Sequence, residues 1–184
     1  MAYSTSQFII KTSLFIIHPL PMTDNNNDFR DVLRHFASGV TLVTIQAPDE
    51  ARAGLTVSAF VSISDDPPLI MVALNKKTHG HELLSRDGAT FAVNLLAADQ
   101  VELSNRFASK VDDRFGMGEW ETEATGAPIL TNSLAWLDCT IHAIHDGGTH
   151  SMFVGRVQAS NIPRPDEAPL IYWNRNYQQL VNNE

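Results

Sequence analysis

Residues 54–74, GLTVSAFVSISDDPPLIMVAL, constrain this chain more than any other stretch. Two apolar, β-branched runs flank a turn made of Asp65, Asp66, Pro67 and Pro68, so the stretch reads as two paired strands, 54–64 and 69–74. Side chains alternate across a strand. Thr56, Ser58, Ser62 and Ser64 therefore share one face, interrupted only by Phe60, while Val57, Ala59, Val61 and Ile63 share the other. Two readings of the hydroxyl face stand open: a seat for a polar ligand, or an amphipathic strand with its hydroxyls in water.

The rest of the chain supplies more strands than helices. Phe29, Val32, Leu33, Phe36 and Ala37 follow helical spacing, with Asp28 suited to the N-cap and Gly39 to the left-handed stop, which predicts a helix over 29–38. Residues 40–45 are β-branched and read as a strand. The loop 75–80, NKKTHG, carries a hydroxyl, an amide and two lysines that suit a phosphate, and equally suit a solvated connection. A short helix over 81–86, a strand over 90–96 and a helix from the cap Asp99 to about Phe107 follow. The loop 109–118 has mixed charges. Ala135, Leu137, Cys139, Ile141 and Ala143 line one face of a strand over 134–145. The turn 146–149 leads to the returning strand 150–162, a last short strand spans 170–173, and the tail is polar. Hairpins dominate, and no strand–helix–strand alternation runs through the chain. The expected fold is mainly β with peripheral α, an antiparallel barrel.

Bulk properties remove several functions. At 184 residues the chain suits one domain with a sizeable core. A net charge of −8 argues against nucleic-acid and anionic-membrane partners, because no basic excess exists to neutralise phosphates. Cys139 stands alone, so no internal disulfide forms, and the cytoplasm is the expected location. The apolar clusters within residues 8–20 are too short and interrupted to span a membrane, and they lack the marks of a signal peptide. Met22 opens a second plausible start, so residues 1–27 are expected to be a peripheral or disordered extension and 28–184 the domain. No Walker loop, Rossmann glycine fingerprint or Gly-x-Ser-x-Gly elbow occurs. His79 and His81 make a poor metal pair, and no metal site is expected.

Five blocks in order carry a family resemblance: FRDVLRHFASGVTLVT, GLTVSAFVSISDDPPLIMVAL, FAVNLLAADQVELSNRFAS, LAWLDCTIHAIHDGGTH and PLIYW. Together, over about residues 29–177, they resemble the flavin reductase-like, FMN-binding split-barrel family, most of all the reductase components of two-component flavin monooxygenases. The resemblance implies a Greek-key antiparallel split barrel of the FMN-binding type, usually a homodimer. It also implies NAD(P)H:flavin oxidoreductase activity, with hydride passing from NADH or NADPH to FMN or FAD and reduced flavin leaving for a partner monooxygenase. Such chemistry belongs to the cofactors and needs no side-chain nucleophile. Two other roles fit a split barrel: a non-catalytic flavin- or haem-binding carrier or sensor, and an oxidase of the pyridoxine-phosphate type, whose basic substrate residues are not recognisable here.

Residue by residue, the resemblance implies that Gly54, Leu55, Thr56, Val57, Ser58 and Ala59 lie along the flavin. Ala73, Leu74, Asn75, Lys76, Lys77, Thr78, His79 and Gly80 meet the ribityl chain and phosphate. Arg106 and Phe107 close on the phosphate end, where forked donors suit an anion; Arg106 pairing with Asp112 or Asp113 is the alternative. His150, ending GGTH, is implied to lie near the nicotinamide, with Thr149 where the family commonly has aspartate. Trp173 and Arg175 match a segment that helps hold the dinucleotide.

Overall fold

The structure, a computed structural model, describes residues 26–180. The described residues fall into two units, divided between Leu33 and Arg34. The first contains α1, Asn26–Leu33; most of the expected extension 1–27 lies outside the described residues. The second opens with β1, Ser38–Gly39, and β2, Thr41–Gln46. Then come β3, Arg52–Val57, β4, Phe60–Asp65, and β5, Pro68–Asn75. Helix α2, His79–Leu84, precedes β6, Thr90–Leu95, and α3, Val101–Ala108. Strands β7, Trp120–Thr122, and β8, Pro128–Leu130, form a small hairpin. The long pair β9, Ala135–Gly147, and β10, His150–Asn161, is followed by β11, Ile171–Trp173, and β12, Asn176–Gln178.

Seven strands make the main sheet in the order β3-β2-β6-β9-β10-β5-β4, every neighbouring pair antiparallel. Strands β3 and β4 are thus the two opposite edges of the sheet, yet only Ser58 and Ala59 separate them in sequence. Three Cα steps reach no farther than about 11 Å, so the sheet has to roll until its edges meet. The result is an antiparallel split barrel, open along the seam between β3 and the upper half of β5.

This corrects the expectation of one unbroken strand over 54–64. Val57 is buried on β3, but Val61 and Ile63, expected to share its face, are 46% and 50% exposed on β4. A register shift between Ser62 and Ser64 further disturbs the alternation. A period-2 pattern reports which residues share a face; it does not report where a strand changes partners.

Strand β2 is buried on both faces, which explains its continuous apolar run. Val43 and Ile45 join Val72, Leu74, Phe91, Val93, Cys139 and Phe153 in the main core. Leu42 points the other way, into a second core with Leu103 and Phe107 of α3, Leu130 and Leu170, against which Phe115 and Trp120 pack. That second core clamps α3 beside β3, where it walls one side of the seam. On β9, Asp138 is wholly buried and accepts from the Thr125 backbone N–H at 2.8 Å and from the Thr125 hydroxyl.

Other expectations also change. The helix expected over 29–38 ends at Leu33, with Asp28 inside it rather than capping it. Gly39 does not stop a helix; it pairs with Ile171 in a β1–β11 ladder, a tertiary partner overriding local preference. Asp99 does not cap α3. Gln100 occupies that position, and the Asp99 carboxylate is held by Arg164 at 2.9 Å, which keeps it below the ordinary carboxylate range. The three-residue strands β7, β8 and β12 have no period to read in the sequence.

Candidate functional site

The seam of the barrel is a groove of about 540 Å³, a size suited to a cofactor-scale ligand. Its first wall is β3 with the Ser58–Ala59 link. Because β3 pairs only with β2, its outer edge offers backbone N–H and C=O groups that no strand satisfies. The opposite wall is Ala73, Leu74 and Asn75, where β5 runs past the end of β4 after a last bond from the Ala73 N–H to the Ala59 carbonyl at 3.0 Å. The start of α2 and the end of α3 close the two ends.

Local chemistry shapes the loop after β5. The Asn75 side chain accepts from the Lys77 N–H at 2.9 Å. The Thr78 hydroxyl donates to the Asn75 carbonyl at 2.8 Å and accepts from the His81 N–H at 3.2 Å, so it serves as the N-cap of α2. That cap starts α2 at His79, two residues before the expected helix. Gly80 is buried, and a Cβ there would stand 2.2 Å from Leu55 Cδ2, so a larger residue makes the Leu55 side chain shift where α2 meets β3.

Thr56 gives its hydroxyl proton to the Ser104 carbonyl of α3 at 2.6 Å. What remains toward a ligand is acceptor capacity. The same turn of α3 is held from outside by the Tyr177 hydroxyl, 2.9 Å from both Ser104 Oγ and Asn105 Oδ1.

Fifteen sequence-implied residues meet in this one groove: Gly54, Leu55, Thr56, Val57, Ser58, Ala59, Ala73, Leu74, Asn75, Lys77, Thr78, His79, Gly80, Phe107 and His150. Ala108, Lys110 and Arg114 also line it. Lys110 and Arg114 were missed because the loop 109–118 read as mixed surface charge, and only the packing of α3 swings it against β3. Arg114 donates to the Ser109 carbonyl at 2.6 Å, and its buried Nε has no hydrogen-bond partner among the described residues.

Four implied residues lie elsewhere. Lys76 points away, its Nζ 3.0 Å from Asp146 Oδ2; that bond, with the Gly148 N–H, holds the Asp146 carboxyl below its usual range. Arg106 donates to the carbonyls of Arg114 and Asp113, the first at 3.2 Å, and so braces the loop that carries Arg114. Trp173 donates from its indole to the His35 carbonyl at 3.1 Å. Arg175 lines a neighbouring cleft of about 320 Å³ with Tyr172 and Tyr177, which shares Thr56, Ser58 and Ala108 with the main groove.

Electrostatics sort the groove into ends. Lys77, Lys110 and Arg114 put positive charge on a protein that is acidic overall, so an anion finds its partners here. Behind the wall, His81 bonds Ser151 Oγ at 2.8 Å, and burial, then the Lys76 charge, hold its imidazole below the ordinary value. A second concavity of about 460 Å³ beside Ile144 offers no comparable set, since its Arg86 is committed to Asp49 and Glu82. Among the described residues no cluster of three metal-ligating side chains occurs, and no helix is long and apolar enough to cross a membrane.

Comparison with known proteins agrees with this geometry. The family model described as "Flavin reductase like domain" matches residues 33–181. The reductase subunit HsaB of a flavin-dependent monooxygenase from Mycobacterium tuberculosis is 34% identical over 150 residues, 81% of this chain and 79% of that protein. The FMN reductase (NADH) RutF of Agrobacterium fabrum is 36% identical over 155 residues, 83% of this chain and 87% of that protein. Among solved structures, an NADH:FAD oxidoreductase of Streptomyces globisporus, in complex with NAD and FAD fragments, superposes with a TM-score of 0.79 at 30% identity, covering 85% of this chain and 93% of that one.

Proposed function

This chain belongs to the flavin reductase-like family, and we propose that it is an NAD(P)H:flavin oxidoreductase supplying reduced flavin to a partner monooxygenase. The observation that carries the reading is the convergence of the 54–59, 73–80 and 107–114 segments and His150 on one cationic groove. Bound flavin supplies the hydride-accepting ring, and bound NADH or NADPH supplies the hydride.

The protein's own residues position both. The open backbone edge of β3 offers N–H groups to the polar rim of a flavin, where they favour the charge of the reduced ring. Thr56, with its proton already given to Ser104, accepts from a ligand N–H or O–H. Lys77, Lys110 and Arg114, with the Asn75–Gly80 backbone, take the phosphate end of FMN or FAD. Lys76 and Arg106 brace the loops on either side of that phosphate site. His150 stands at the nicotinamide, and Arg175, in the adjoining cleft, serves the dinucleotide beyond it. Trp173 fixes the β11–β12 hairpin that carries Arg175.

FMN and NADH are the favoured pair, by similarity to the relative named FMN reductase (NADH). The working unit is a homodimer, which the exposed Val61, Ile63, Phe36 and Ile162 would serve. Residues 28–184 form the reductase domain, residues 1–27 are peripheral, and the location is the cytoplasm. The carrier reading draws no support from relatives whose names are those of reductases.

The test is direct. Purified protein is mixed with NADH or NADPH and with FMN or FAD, and the nicotinamide absorbance is followed. Oxidation that depends on added flavin is expected. No oxidation with any of the four pairs removes the proposal.

A further inference from the structure

The turn between β9 and β10 is only Gly148 and Thr149, with Gly147 paired to His150. Gly148 has φ +77°, a conformation glycine adopts freely. Such a short turn leaves little play, and three contacts remove more of it. The Lys76 N–H donates to the Thr149 carbonyl at 3.1 Å. The Lys76 ammonium reaches Asp146 at 3.0 Å, and the other Asp146 oxygen accepts from the Gly148 N–H at 2.7 Å. His150 itself pairs with Asn75 of β5. The histidine is therefore tied, directly to Asn75 and through Lys76, to the 75–80 loop beside it on the same wall of the groove.

Inside the turn, Thr149 Oγ1 lies 2.9 Å from His150 Nδ1. Among the described residues, the Thr149 hydroxyl has no other hydrogen-bond partner, and His150 Nε2 has none. This exposed hydroxyl can donate to Nδ1 or, with water taking its proton, accept from Nδ1–H. In the first arrangement Nδ1 is the acceptor nitrogen and the ring hydrogen sits on Nε2.

We propose that Thr149 is a positioning residue that holds His150 in the Nε2–H form, making it a hydrogen-bond donor into the groove for the carboxamide oxygen of a nicotinamide. The Lys76–Asp146 clamp sets where that donor stands. This rests on the reading above that His150 meets the nicotinamide.

The experiment uses the full chain with NADH and FMN, and compares Thr149→Val, Thr149→Ser, Lys76→Met and His150→Ala. Ring ¹⁵N shifts of His150 are recorded alongside, because a merely structural role for Thr149 would not set them. Thr149→Val is expected to raise KM for NADH about two- to tenfold, the worth of one neutral hydrogen bond, with KM for FMN unchanged. Thr149→Ser, which keeps the hydroxyl, restores the native value. The native ¹⁵N spectrum shows a protonated Nε2 and a bare Nδ1, and Thr149→Val blurs that distinction. Lys76→Met raises KM for NADH about twofold, as fits a half-exposed ion pair.

A native spectrum with the proton on Nδ1 overturns the proposal. So does an unchanged NADH response in Thr149→Val when His150→Ala raises it. A rise confined to KM for FMN in Lys76→Met places Lys76 on the flavin phosphate and overturns the clamp. If His150→Ala itself leaves the NADH response unchanged, the underlying assignment of His150 fails, and the spectrum still decides the role of Thr149.

Discussion

Replacing Gly54 with alanine tests whether α3 is seated on β3 by the absence of a side chain. A Cβ at residue 54 would lie 2.3 Å from Phe107 Cε1 and 2.7 Å from Cδ1. Comfortable carbon contact begins near 3.5 Å, so the ring must retreat by about 1.2 Å. It has little room. Phe107 is 1% exposed, with Phe115 at 5.4 Å and Trp120 at 5.6 Å between ring centres. Overpacking of this kind costs about 1–3 kcal/mol. Gly54 has no left-handed φ, so alanine returns about 0.4–1 kcal/mol by restricting the unfolded chain. A net loss of about 1 kcal/mol, and up to roughly 2.5, remains. For a chain of this size each kcal/mol lowers Tm by about 2–4 °C. The displaced ring carries the end of α3 with it, and Ala108, Lys110 and Arg114 beyond it line the groove. KM for flavin is therefore expected to rise several-fold. Thermal melts and flavin titration of the steady-state rate read both effects. A companion Phe107→Leu in the same background should recover stability, giving a coupling above about 0.5 kcal/mol. A Gly54→Ala protein as stable as the parent, with unchanged KM for flavin and an additive double mutant, would refute the reasoning.

Two further outcomes follow from titratable groups that packing shifts. Cys139 is fully buried, and burial, with Asp138 beside it, pushes its thiol up to about 12. The native protein should leave a thiol-specific disulfide reagent unreacted at pH 8 and titrate one thiol only after denaturation; rapid native reaction contradicts the packing of β9. His81 has its imidazole held below 6.5 by burial and by Lys76. Below 6.5 the unfolded chain takes up a proton there before the folded one does. The His81 contribution is therefore fully present above 6.5 and is lost as pH falls from 6.5 through the lowered folded value. Denaturant midpoints from pH 7.5 to 5 should show this fall, and His81→Gln should flatten part of it. An unaltered pH dependence in that variant argues against the shift.

Much of the fold was legible because strand pairs leave a period in the sequence. The β9 alternation through Cys139, the long return of β10 and the turn before β5 all appear as patterns of face and break. The groove-lining segments were legible for another reason: their residue order resembles a known family, and that resemblance named fifteen residues that the fold does bring together. The α1 boundary, the α3 cap and the strands β7, β8 and β12 were not legible. The first two depend on partners far along the chain, as when Gly39 pairs with Ile171 or Asp99 is drawn to Arg164, and the three short strands carry no period.

The sequence by itself determined an acidic, mainly β chain, with hydroxyls on 54–64 and an amide, hydroxyl and lysines in the loop after it. Only the tertiary structure decided what those groups do. The break at Ser58 and Ala59 sends β3 and β4 to opposite edges of one sheet, and the rolling that reunites them opens the groove. The second core pulls α3 beside β3 and brings Lys110 and Arg114 to the ligand side, while Lys76 turns outward to Asp146 and Lys77 inward. The physical reason is that a local pattern encodes which way a side chain faces relative to its own strand. Which other strand lies there, and which charge, is set by long-range packing that no local period carries.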